Sequence, residues 1–73
     1  HLADLRQALE VEDVPGIKRA AHTLKAPAKM LGLDDAAELF SKAQELAGAD
    51  APVTELRPVV QNALAAVEQE LPT

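Results

Sequence analysis

Wherever this chain is apolar, the apolar residues recur three and four positions apart, and no stretch keeps the two-residue alternation of a strand. The clearest run is Ile17, Ala21, Leu24, Ala28 and Leu31, whose steps of four, three, four and three line one side of a helix with a buried seam. Three other segments repeat the pattern. Leu2, Leu5 and Leu9, with Ala8 beside them, predict a first helix from Leu2 to about Glu10. Ala36, Leu39, Phe40, Ala43, Leu46 and Ala47 predict a third helix that ends at about Ala47. Leu56, Val60, Ala63, Leu64, Val67 and Leu71 predict a fourth over roughly Val53 to Leu71. The links between them are short, and helices joined by short links pack as antiparallel neighbours. The expected fold is all-α, an antiparallel up-down-up-down four-helix bundle, with residues 1–73 as a single domain.

The punctuation between seams agrees with those limits. Val11-Glu12-Asp13 breaks the periodicity, and Asp13 suits an N-cap because its carboxylate accepts from free first-turn N–H groups and favours the positive end of the helix dipole. Val14-Pro15-Gly16 then makes the first turn of a second helix, where a proline has no intrahelical bond to lose. That helix runs to about Leu31, and Gly32 suits the left-handed position past its end. Pro27 falls inside it and forfeits a bond to the Thr23 carbonyl, at a cost of about 3 kcal/mol. Because the seam passes Leu24, Ala28 and Leu31 without a change of phase, a bend just after His22 is expected rather than a break. Asp35 and Glu38 stand at capping-box spacing before the third helix, with Asp34 as the alternative cap. Residues 48–52 close that helix with a loop. Pro58 lies at the edge of the first turn if Thr54 caps the fourth helix, and kinks it if the helix begins near Pro52.

Composition narrows the function. A chain of 73 residues buries only roughly 60% of the surface its unfolded form exposes. With no cysteine there is neither a disulfide framework nor a thiolate metal site, so packing alone must hold the core. Phe40 is the sole aromatic residue and the net charge is −5. Flat rings for stacking bases are missing and a broad basic face is missing, which argues against nucleic acid. No apolar run approaches the roughly 18 residues of a membrane span, and no basic-then-apolar leader is present, so a soluble domain without direct membrane contact is expected. The first residue is His1 rather than Met, consistent with a piece of a longer protein.

Opposite its seam, the second helix carries Lys18, His22, Lys25 and Lys29 in one stripe. An imidazole sits in a line of ammonium groups. Four roles fit it. As an ordinary surface residue it explains the lysines but not their centring on a histidine. As a metal ligand it lacks convergent partners, having only His1 besides. As a general base it lacks a pocket, and no Ser/His/Asp pattern or carboxylate pair accompanies it. As a phosphoryl carrier it has what it needs, since a neutral imidazole, with a reference pKa of about 6.5, is nucleophilic near neutral pH. The phosphorylated ring carries roughly two negative charges, and each nearby ammonium is worth on the order of 1 kcal/mol in a solvated setting. Stabilisation that modest suits a group that must leave again. Small neighbours, Ala26 above all, leave room for a partner to close over the ring.

His22-Thr23-Leu24-Lys25, followed by Ala28, by Leu31-Gly32 and by a Leu/Phe-patterned helix, resembles the histidine-containing phosphotransfer (HPt) domains of multistep phosphorelays. The family pattern is His-any-Leu-Lys-Gly with a second glycine ten residues after the histidine. The resemblance covers essentially the whole chain and departs from the pattern at two positions. Ala26 replaces the glycine after the lysine, and Pro27 replaces the small residue that usually follows.

The resemblance implies that His22 is the phosphoacceptor, taking a phosphoryl group from a receiver-domain aspartyl phosphate and passing it to another receiver aspartate. It implies that Lys25 and Gln44 stabilise the phosphorylated state. In some members a glutamine on the third helix hydrogen-bonds the histidine, and folding back about residues 32–34 puts Gln44 level with His22. A solvated flank residue is the other reading of Gln44. Lys18, Ala26 and Lys29 form the expected docking patch, with the acidic remainder facing away. The implied partners are receiver domains of a hybrid kinase and of a response regulator, in the cytoplasm. No cofactor is expected, Mg²⁺ belonging to the receiver, and with no Gly-rich phosphate loop the module is a phosphocarrier rather than a kinase. The parent chain is expected to be a hybrid sensor kinase with this module near its C-terminus, a free-standing shuttle being the alternative within the family. Outside the family the alternative is a helical interaction module without chemistry, which acid-labile phosphate on His22 distinguishes.

Overall fold

The computed structural model describes residues 2–70, which form four helices: α1 (Leu2–Glu10), α2 (Val14–Met30), α3 (Asp34–Gly48) and α4 (Val53–Glu70). The links at residues 11–13, 31–33 and 49–52 turn the chain back on itself each time. α2 packs most extensively on α3, and α3 on α4, while the short α1 closes the bundle against α2 and touches α4. The architecture is the four-helix bundle expected from the periodicity. Leu71 and His1 lie outside the described residues.

The seams meet in one core. Phe40, Leu5, Ile17, Leu56 and Val60 are its largest fully buried side chains. Ala21, Ala36, Ala43 and Ala63 are buried among them without exposure, and such small residues let the helices approach closely. Two details of the seam differ from expectation. Leu31 is 68% exposed, because α2 ends at Met30 and Leu31 is already its C-cap. Its place is taken by Leu33, 6% exposed, which the turn at Gly32 (φ 76) carries inward and whose N–H bonds the Ala28 carbonyl at 2.9 Å.

The helix ends follow a common design. Glu12 (φ 58), Gly32 and Asp50 (φ 59) each adopt the left-handed conformation. The next residue's N–H then reaches back to a carbonyl of the last turn: Asp13 to Ala8 at 2.8 Å, Leu33 to Ala28 at 2.9 Å and Ala51 to Leu46 at 3.0 Å. At the start of α2, Asp13 caps as expected, accepting from the Gly16 N–H at 3.1 Å. A Cβ at Gly16 would lie 2.5 Å from the Asp13 carboxylate and 3.3 Å from Ala8 Cβ, so a larger residue there would push the capping side chain aside. The start of α3 corrects the sequence expectation. Neither the Asp35/Glu38 box nor an Asp34 cap forms; the cap position is Leu33, which has no side-chain oxygen to offer. Burying Leu33 draws Asp34 and Asp35 into the first turn, and the free Ala36 N–H is met from across the bundle by Glu70 Oε1 at 3.1 Å. α4 begins at Val53, with Glu55 and Leu56 N–H groups bonded to the Pro52 carbonyl, so Thr54 is not its cap and Pro58 lies inside the helix.

Candidate functional site

Burial of Ile17, Ala21 and Ala28 orients α2, and with that rotation fixed the opposite side of the helix faces solvent. His22 lies there, exposed near the middle of α2. Across the α2/α3 seam, Gln44 is half-buried and its Nε2 stands 3.1 Å from His22 Nδ1. Among the described residues no other hydrogen bond reaches the ring. Nδ1 is thus engaged by the protein and Nε2 is left to solvent. An amide can serve either tautomer of the ring, because its NH₂ donates to a bare Nδ1 and, after a half-turn, its oxygen accepts from Nδ1–H. In the second arrangement the Nε2 lone pair is free to act as a nucleophile.

The lysines surround this pair along the seam. Lys18 crosses to α3 one turn beyond Gln44, its Nζ 3.8 Å from where a Cβ on Gly48 would sit. Lys25, half-buried, and Lys29, exposed, line a depression on the other side of His22 with Asp34, Ala37, Glu38 and Ser41. None of the three is ion-paired among the described residues, where salt bridges join Arg6 to Glu68 at 2.7 Å and Arg57 to Glu12 at 3.7 Å. Positive charge beside the imidazole is therefore not cancelled by direct pairing. Ala26 is exposed next to the histidine. The expectation that acidic residues all face away fails at Asp34 and Glu38, because the first turns of α3 run alongside the end of α2.

Two nearby residues were not anticipated. Arg19, exposed and three positions before His22, adds a cation on the flank away from α3, and its carbonyl accepts from Thr23 Oγ1 at 3.0 Å. Its signal was present in the spacing, which matches that of Lys25 on the other side. Ser41 is half-buried in the depression beside Lys25, and no one-helix pattern marks it out.

The arrangement is an open, basic surface around one accessible ring nitrogen. Among the described residues no side chain with a polar or charged group is fully buried. Among the described residues no three carboxylate, imidazole or thiol groups converge on a metal position, and no helix is long and apolar enough to cross a membrane. Such a surface can present a nucleophile to a macromolecular partner and shield the charge of what it acquires. Comparison with curated proteins and with solved structures finds no match. A family model described as the Hpt domain matches residues 1–70, nearly the full length, and on that match the chain belongs to the Hpt family, whose members carry a phosphoryl group on histidine in two-component phosphorelays.

Proposed function

We propose that His22 takes a phosphoryl group from the aspartyl phosphate of a receiver domain in a hybrid sensor kinase and hands it to an aspartate on the receiver of a response regulator. Nε2 attacks phosphorus, the P–O bond to the aspartate breaks, and the carboxylate leaves with the bonding pair; the reverse sequence unloads the histidine. The single observation that carries this reading is the His22–Gln44 contact at Nδ1, which leaves Nε2 as the reacting nitrogen. Gln44 orients the ring and follows the Nδ1 proton by presenting its oxygen or its NH₂. Lys25 offsets part of the acquired charge, and Lys18, Ala26 and Lys29 form the docking patch around the ring, complementary to a carboxylate-bearing site. Mg²⁺ is contributed by the receiver. The module works in the cytoplasm as a carrier within a hybrid kinase.

The test is transfer of labelled phosphate from a panel of phosphorylated receiver domains to this chain and to His22→Gln. Acid-labile label on the parent chain, none on the variant and equal helicity by circular dichroism are expected, because an exposed side chain contributes little packing. Equal labelling of the variant would move the acceptor elsewhere. No labelling of the parent chain by any receiver or by phosphoramidate would leave an interaction module without chemistry.

A further inference from the structure

The interior proline of α2 has its effect next to the histidine. In an α-helix the N–H of residue 27 would bond the carbonyl of residue 23. Pro27 has no N–H, yet α2 runs without interruption to Met30. The Thr23 carbonyl is therefore an acceptor that lacks its helical partner. Thr23, Ala26, Pro27 and Met30 are all exposed, Met30 at 86%, so the carbonyl belongs to an exposed flank of α2. The Thr23 hydroxyl does not reclaim it, since Oγ1 donates to the Arg19 carbonyl at 3.0 Å. That leaves the hydroxyl oxygen as a second acceptor beside the first. A groove between α1 and α2, lined by Gln7, Val11, Arg19, Ala20 and Thr23 among others, gives an approaching side chain room.

Consecutive Cα atoms are about 3.8 Å apart and a specific protein contact covers on the order of 800 Å² on each partner, wide enough for a domain docked over His22 to reach the Thr23 flank as well. We propose that the Thr23 carbonyl released by Pro27 accepts a hydrogen bond from an N–H of the receiver domain docked over His22, which makes Pro27 a specificity-determining residue of the transfer. The inference rests on the receiver-dependent reading above. Helices without an interior proline have no such acceptor to offer, so a receiver that uses it distinguishes this module from others with the same histidine and lysines.

The experiment compares the parent chain, Pro27→Ala and a chemically synthesised chain with L-lactate in place of Pro27, using the receiver that labels the parent fastest. Alanine restores the N–H and ties up the Thr23 carbonyl, whereas lactate has neither ring nor N–H and leaves it free. KM for the receiver should rise about fivefold in Pro27→Ala with kcat unchanged, the worth of one net hydrogen bond, while the lactate chain keeps the parent KM. An unchanged KM in Pro27→Ala, or an equal rise in both altered chains, would overturn the proposal, the second outcome by assigning the effect to the ring. A parent chain that takes label neither from a receiver nor from phosphoramidate would overturn the phosphocarrier reading and this proposal with it.

Discussion

At the scale of single residues, the proposed function has Gln44 and Lys25 act on His22 by different physics, and salt separates them. The Gln44 contact is one exposed hydrogen bond at 3.1 Å, reaching from α3 to the imidazole on α2. Removing it in Gln44→Ala frees the ring to rotate and should slow transfer about five- to tenfold, with little dependence on ionic strength. If Lys25 acts through charge in a partly solvated setting, as proposed, Lys25→Ala should shorten the phosphohistidine lifetime by about tenfold or less, and high salt should shrink the difference. The check is the decay of labelled phosphohistidine and the receiver transfer rate at low and high salt. A salt-independent deficit in Lys25→Ala would mean that the ammonium acts through a direct bond instead. The exposed position of His22 among lysines was legible in the sequence, because those residues follow a helical period. Arg19 and Ser41 were not marked out, the first for want of a contact to weigh it by and the second because its neighbours lie on another helix.

At the scale of elements, the helix ends contain the chain's most correctable feature. α1 and α3 close on Glu12 and Asp50 in the left-handed region, a conformation that costs an L-residue roughly 1–2 kcal/mol and glycine almost nothing. The Glu12 side chain gains little in return, its contact with Arg57 being 3.7 Å long between exposed groups. Glu12→Gly should therefore stabilise the bundle by roughly 0.5–1 kcal/mol, read as a higher midpoint in urea with an unchanged m-value. A loss of stability would show that the ion pair or the unfolded-state entropy of glycine dominates. The sequence pointed to Gly32 as a helix terminator because glycine advertises the conformation, whereas a glutamate in the same geometry carries no such sign. Asp13 was legible for the complementary reason that its cap is made within its own helix.

For the whole molecule the decisive quantity is how few large side chains hold it. Phe40 is 1% exposed at the centre of a core otherwise built from Ala, Leu, Ile and Val, with no disulfide to assist. Phe→Ala at such a position costs about 3–5 kcal/mol, against a total of roughly 4–11 kcal/mol for a chain of this length at the usual stability per residue. Phe40→Ala should therefore lose from about a quarter to all of the parent's stability, as judged by helical circular dichroism and urea titration. A cooperative transition near the parent midpoint would show that the core repacks around the gap. Receiver labelling should be lost in parallel with helicity, since the His22–Gln44 contact exists only while α2 and α3 are docked.

The sequence alone determined the helices, their faces and the stripe that carries His22, because helical periodicity is a local property and is written in residues three and four apart. It also carried enough of the family pattern to indicate a phosphoryl carrier. The tertiary structure decided what depends on how one helix is rotated and shifted against another. Leu33 replaced Leu31 in the core because a turn, not a period, carries it inward. α3 took its N-terminal acceptor from Glu70, 34 residues away, where no capping rule looks. The 3.1 Å approach of Gln44 to Nδ1, which leaves Nε2 as the free nitrogen, likewise arises from two helices meeting in one register.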